Sequence, residues 1–481
     1  MDKNILIGKK HIHFIGIGGS GMYPLAQILH SQGYYLTGSD NNETETLDAV
    51  RKMGIPVFMG QRAENIEGAD MIVHTAAIMA DNPELIAAKA SGVPVLERSE
   101  LLGIVTSWYS NAICVSGTHG KTTTTSMITQ ILYTQGMDFS AFIGGKLPCI
   151  GGSGLAGNGD TMVCEACEFV DTFLKLYPDV AVVLNIDADH LDYFGTLDNI
   201  IKSFTKFISL TTKAIIINAD DANTVDAVKR AEDMGMLKDK KIILFGSSEP
   251  CEYYPANIQK INGIQTKYTL MHDFKPFADI TLNVPGEHNI LNSVAAAATA
   301  HYAGASAESI QKGLYDFRGA KRRFEIIGKE KGITIADDYA HHPAELTVTL
   351  EAAMQMGYNK VWAVFQPFTY SRTSILLDDF AKALSIPDVA VLTDIMGSRE
   401  KNTYDIYSSD LAEKIENCIC FEQNKIESPE RKQQNFEQVC DYICENASDG
   451  DLVITLGCGD VYKVAKMIYK KLKQEHDNGI G

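Results

Sequence analysis

The chain has 481 residues, 45% hydrophobic and 22% charged, with 43 lysines and arginines against 61 aspartates and glutamates, a formal net charge of −18. That balance belongs to a globular protein long enough for about three domains with separate cores, and it excludes disorder and fibrous repeats. The negative charge speaks against nucleic acid and membrane surfaces, which are polyanions, and leaves small anions such as nucleotides as partners for local donor clusters.

No apolar run reaches the roughly 18–20 residues that span a bilayer, and the N-terminus has no signal-peptide core, so a cytoplasmic protein without membrane insertion is expected. The ten cysteines do not make a disulfide scaffold in so long a chain. Cys164-x-x-Cys167 has metal-like spacing but no matching Cys/His pair nearby, and it reads as buried free thiols, as does the looser group Cys418, Cys420, Cys440 and Cys444.

In chain order, the strand His11–Ile17 enters a glycine turn and a helix, followed by strands YYLTGSD, VFMG, MIVHT and VPVLE alternating with helical segments. NAICVS (111–116) opens a second βα series, continued by MVCEA, VAVVLNI, AIIIN and KIILFG. Between about Cys251 and Val284 the pattern changes to alternating strands, an antiparallel insertion. A third series follows Lys321-Arg322-Arg323, with strands GITIADD, VWAVFQ, VAVLTD, CICFE and DLVITLG. The expectation is an α/β protein of three domains, 1–106, 107–319 and 320–481, each a mainly parallel sheet with helices on its faces. The first and third read as Rossmann-like and the central one as P-loop ATPase-type. The glycine-rich stretch 151–160 and the charged tail 472–481 read as a loop and a terminus.

Two turns carry chemistry. Gly16-Ile17-Gly18-Gly19-Ser20-Gly21 fits G-x-G-x-x-G between strand and helix, and Asp40 follows at the end of the next strand. Such a turn brings N–H groups to a diphosphate at the positive end of a helix, and the acid accepts from a ribose hydroxyl. Alone, this suggests a dinucleotide and hence an oxidoreductase, though the motif does not say which nucleotide. The second turn, Ser116-Gly117-Thr118-His119-Gly120-Lys121-Thr122-Thr123, is a shortened G-x-x-G-K-T phosphate loop. Its amides and Lys121 suit the β- and γ-phosphates of a nucleoside triphosphate, and the Thr122 hydroxyl suits Mg²⁺. A dehydrogenase has no use for a γ-phosphate, whereas a ligase that joins two molecules with ATP does.

With both turns placed, the chain resembles the Mur ligases along its whole length. The resemblance runs through HIHFIGIGGSGMYPLA (11–26), SGTHGKTTTT (116–125), EACEFVDTFL (165–174), NIDADHLDYF (185–194), PGEHNILN (285–292), FRGAKRRFE (317–325), DDYAHHPAE (337–345) and FQPFTYSRT (365–373). The opening motif together with DDYAHHP points to the alanine-adding branch. The resemblance implies ATP-dependent joining of L-alanine to UDP-N-acetylmuramate, with ATP and Mg²⁺, by a monomer or homodimer. The related peptide-attaching ligase and an inactive nucleotide-binding regulator are the alternatives.

Carried over by resemblance, Gly18, Gly19, Ser20, Gly21, Asp40, Thr75 and His119 meet the UDP-sugar. Thr122, Glu168 and His190 hold the metal, although the acidic loop of Glu165 and Glu168 also reads as solvated charge. His288, Asn289 and Asn292 match an adenine-side motif, and by spacing equally a helix cap. Arg323 matches an arginine that reaches ATP phosphates, and a linker arginine also reads as solvated charge. Tyr339, His341 and Arg372 line the amino-acid site, with Arg372 on the carboxylate. Lys121, Glu168, His190 and His341 are the expected catalytic set. Cys167 stands where the family commonly has an aspartate, and Phe368 where some relatives have a histidine.

Overall fold

Runs of Val, Ile and Leu covered on both faces form three parallel-dominated sheets in the computed structural model, which describes residues 3–261, 265–398, 400–422 and 429–478. The first sheet comprises β1 (His11–Ile15), β2 (Tyr35–Asp40), β3 (Val57–Met59), β4 (Met71–His74) and β5 (Val95–Glu97), ordered β3-β2-β1-β4-β5 and parallel throughout. The order reverses between β1 and β4, which leaves a crevice at their carboxyl ends where ligands of such sheets bind.

The second sheet has ten strands. They are β6 (Asn111–Ser116), β7 (Phe139–Leu147), β8 (Gly152–Leu155), β9 (Thr161–Glu165), β10 (Val180–Val183), β11 (Ala214–Asn218), β12 (Lys241–Phe245), β13 (Tyr253–Lys260), β14 (Thr266–His272) and β15 (Lys275–Leu282). Their order is β15-β14-β13-β12-β11-β10-β6-β9-β7-β8, so the segment expected as an insertion extends one edge beyond β12.

The third sheet comprises β16 (Glu325–Glu330), β17 (Ile333–Asp338), β18 (Val361–Phe365), β19 (Val389–Leu392), β20 (Cys418–Cys420) and β21 (Leu452–Leu456), ordered β16-β17-β21-β18-β19-β20. Only β16 runs antiparallel there.

By contacts the chain divides into two compact units: Met1–Gln259 with Lys267–Leu282 and His288–Ala320, and Lys260–Thr266 with Asn283–Glu287 and Lys321–Gly481. Within the first, one apolar cluster runs from Phe14 and Leu25 through Leu102 and Val105 to Phe173, Phe204 and Phe207, joining the first two sheets. The second unit has a core on each face of its sheet. Val361, Ala363 and Phe365 face one core and Trp362 and Val364 the other, the period of two that a strand imposes.

The stretch 151–160 is not all loop, because β8 pairs antiparallel with β7 there. Its composition misleads because glycine serves packing at this point: a Cβ on Gly154 would lie 2.7 Å from Pro24 Cβ and 2.8 Å from its Cα, on the helix Tyr23–Ser31. Gly154→Ala is expected to cost about 1–3 kcal/mol, read as a lower urea midpoint. The charged tail is likewise helical as far as it is described, at the end of the helix Tyr462–Asn478, in which Val464, Ala465, Ile468 and Leu472 are buried; residues 479–481 lie outside the described residues. Among the described residues no helix is long and apolar enough to cross a membrane.

Candidate active site

At the carboxyl ends of the first sheet lies a cavity of about 680 Å³, lined among others by Gly16, Gly18, Gly19, Asp40, Thr75 and Asn82. Asp40 does more here than face a ligand. Its Oδ2 accepts the Gly18 N–H at 2.9 Å, and its Oδ1 accepts those of Asn41 and Asn42 at 2.8 and 3.0 Å, so the acid shapes the turn. Ser20 and Gly21 continue the turn towards the helix. Arg98, which the sequence reading missed, stands beside it: a Cβ on Gly21 would lie 3.0 Å from Arg98 Cδ. Its guanidinium carbon is 6.0 Å from the Phe142 ring centre, a contact between the first two sheets that no local motif announces. Asp40→Ala is expected to destabilise the turn, read as a lower urea midpoint, because the N–H groups of Gly18, Asn41 and Asn42 lose their acceptor, worth about 1–3 kcal/mol.

The phosphate loop leaves β6 and ends in the helix Lys121–Gln135, whose first N–H groups have no carbonyl within the helix and form an anion site. The side chain of Asn185 grips the loop, accepting the His119 N–H at 2.8 Å and donating to the His119 carbonyl at 3.1 Å. Gly120 has φ +85°, and a Cβ there would lie 2.5 Å from Asn292 Oδ1. Asn292 therefore abuts the loop and also donates to Asn289 Oδ1 at 3.0 Å. His288 starts the same helix, and burial, with the nearby His119 behind it, holds its imidazole below the ordinary range.

Lys121 folds into the loop. Its Nζ donates to the carbonyls of Gly117 and Thr118 at 2.6 and 3.0 Å and to Glu168 Oε1 at 3.0 Å. Burial opposes its charge, but the Glu168 carboxylate and neighbouring acids prevail and carry its pKa to about 12. Glu168 is 2% exposed; its Oε2, 2.8 Å from Nζ, is buried without a hydrogen bond of its own. Thr122 Oγ1 donates to Glu165 Oε1 at 3.0 Å, while Glu165 Oε2 accepts the Gly144 N–H at 2.8 Å. Glu165 is thus part of the constellation and not solvated charge.

His190 lies with φ +52° and packs its ring 4.6 Å from that of Phe169, the neighbour of Glu168, so the two expected metal-binding segments touch. Val170 and Asp171 also have positive φ, strain of the kind that clusters at functional sites. Burial raises the Cys167 thiol, and Glu168 adds to that. All ten cysteines are free, and among the described residues none joins a three-ligand grouping of metal-site dimensions.

In the second unit, β17 delivers Asp337 and Asp338 to a strained segment in which Arg322 and Phe324 have positive φ. Asp337 Oδ2 accepts from Arg322 Nε at 3.0 Å, and Asp338 accepts the N–H groups of Phe324 and Ala340 at 2.6 and 2.7 Å. Burial raises Asp337 to about 6 against the pull of Arg322. Arg322 and Arg323 each set a guanidinium carbon 5.0 Å from the Tyr339 ring centre, so neither is merely solvated charge. The rings of Tyr339 and His341 meet edge to face at 5.4 Å. Arg372 is not plain surface charge either, since its Nη1 is buried and has no hydrogen-bond partner among the described residues.

A Rossmann-like sheet, a Lys-Thr phosphate loop on a second sheet and a third α/β domain define a three-domain, nucleotide-using ligase. Family models agree: the Mur ligase catalytic domain matches residues 11–109, the Mur ligase middle domain 115–300, and the glutamate ligase domain of Mur ligases 322–459. The chain belongs to the Mur ligase family. It is 44% identical over 465 residues to the UDP-N-acetylmuramate–L-alanine ligase of Acetivibrio thermocellus, covering 96% of both chains. It is 42% identical to that of Agathobacter rectalis, covering 96% of this chain and 98% of the relative. The crystal structure of the UDP-N-acetylmuramate–alanine ligase of Thermotoga maritima superposes with a TM-score of 0.79 at 27% identity, over 97% of this chain and all of that one.

Proposed function

We propose that the chain is an ATP-dependent ligase that joins L-alanine to the lactyl carboxylate of UDP-N-acetylmuramate, a step in peptidoglycan precursor synthesis. The observation that carries this reading is the end-to-end likeness, at 39–44% identity, to alanine-adding relatives. A carboxylate is a poor electrophile, so the γ-phosphoryl group of ATP passes to it first. The resulting acyl phosphate is attacked by the alanine amine, phosphate leaves and an amide forms. Positioning and charge neutralisation supply most of the catalysis.

Each site has its part in that chemistry. The cavity at the first sheet takes the uridine diphosphate, with Gly18 to Gly21, Asp40 and Thr75 around it, Arg98 as an added cation and His119 towards the sugar. The loop from Ser116 to Thr123 holds the ATP phosphates with Lys121 on their oxygens, while His288, Asn289 and Asn292 serve the adenine side. Thr122 Oγ1, Glu165 and the buried carboxylate of Glu168 would offer the hard oxygens that Mg²⁺ prefers, with His190 as a further ligand. Bound there, Mg²⁺ would neutralise charge on the β- and γ-phosphates. Tyr339, His341 and Arg372 take alanine, with the buried Nη1 of Arg372 facing its carboxylate. Calorimetry with UDP-N-acetylmuramate and with NAD(H) tests the assignment of the first cavity. Binding of the UDP-sugar alone is expected, and tight NAD(H) binding without it would refute the reading.

A further inference from the structure

We infer that Glu345 is a positioning residue that fixes His341 as a base with its lone pair on Nε2, an inference that rests on the alanine reading above. The argument begins with local geometry. The helix Pro343–Met354 starts with a capping box in which Glu345 reaches back to the preceding backbone. Its Oε2 accepts the N–H groups of His341 and His342 at 3.0 and 3.3 Å, so the carboxylate cannot swing away from the histidine.

That same oxygen lies 3.2 Å from His341 Nδ1, and the Tyr339 carbonyl oxygen lies 3.1 Å from it. Both groups only accept, so Nδ1 must carry the proton. In the neutral ring Nε2 is then the bare nitrogen, and among the described residues it has no hydrogen-bond partner. Burial pushes the Glu345 carboxyl up, but the hydrogen bonds it accepts from His341, with the Arg323 guanidinium behind them, hold it far below its usual range. Glu345 is therefore an anion and can stabilise an imidazolium.

This is what the amine needs. Alanine arrives as an ammonium, and no lone pair exists until a proton leaves. One proton passes to His341 Nε2 and from there to solvent. The freed nitrogen forms the C–N bond, the C–O bond to phosphate breaks, a second proton leaves with the phosphate, and the third stays on the amide. A histidine held by an anion in one tautomer is an established arrangement for a general base.

Glu345→Gln tests it, because a glutamine oxygen still completes the capping box while the charge is lost. With saturating ATP and UDP-N-acetylmuramate, kcat is expected to fall about 10- to 100-fold while KM for alanine stays within about threefold. The ¹⁵N spectrum of the intact protein, with His341 identified by the signals missing in His341→Asn, is expected to show a protonated Nδ1 and a bare Nε2. A proton on Nε2, or a Glu345→Gln kcat within twofold of the parent, would overturn the inference. The spectrum needs no turnover, so an error in the alanine reading, seen as no alanine-dependent ADP release by the parent chain, is told apart from an error in the tautomer.

Discussion

Under the proposed function, Lys121→Met is expected to lower ADP release by about 10³-fold, since the ammonium would be the fixed cation for the phosphates. The same change has a second consequence in the free protein. Lys121 Nζ sits 2.8–3.0 Å from the Glu168 carboxylate, with the two side chains only 14% and 3% exposed. Removing the lysine strands a buried carboxylate, which costs about 3 kcal/mol or shifts it to its neutral form. Thermal unfolding should therefore show a clear drop for Lys121→Met and partial recovery in the double variant with Glu168→Gln, while ADP release stays low in both. UDP-sugar binding should survive in each. An unfolding midpoint unchanged by the single substitution would mean that the ion pair does not form.

Arg372→Met should behave in the opposite way. The Nη1 of Arg372 is buried and has no hydrogen-bond partner among the described residues, so the free protein gains nothing there from that donor and bears its desolvation. Stability without alanine is expected to stay level or rise by about 1 kcal/mol. Under the proposed function, KM for alanine is expected to rise about 100-fold or more, because Arg372 would be the bidentate partner for its carboxylate. A large loss of stability with normal alanine KM would make the arginine structural.

The contrast between these two residues shows what could be read from sequence. The phosphate loop was legible because strand, turn, Lys-Thr and helix are contiguous and each element supports the others. Glu165 was read as solvated as readily as functional, because its pairing with Thr122 spans 43 residues and depends on β6 lying beside β9. Asn185 opens the quoted NIDADHLDYF motif, but nothing local showed that it grips the His119 backbone 66 positions away. Arg98 is similar, since it starts the helix after β5, 77 positions from Gly21, and meets that glycine only in the folded chain. The glycine motif was visible, but the grip of Asp40 on Gly18 was not, as the same spacing serves a ribose contact equally well. The stretch at 151–160 looked like a loop because composition cannot tell a glycine needed for a turn from one needed for contact with Pro24.

ADP release by the purified chain, with one substrate left out at a time, tests the central claim most directly. Turnover is expected only when ATP, UDP-N-acetylmuramate and L-alanine are all present, and not when a preformed peptide replaces alanine. Turnover with the peptide instead of alanine, or none with the complete set, would contradict it.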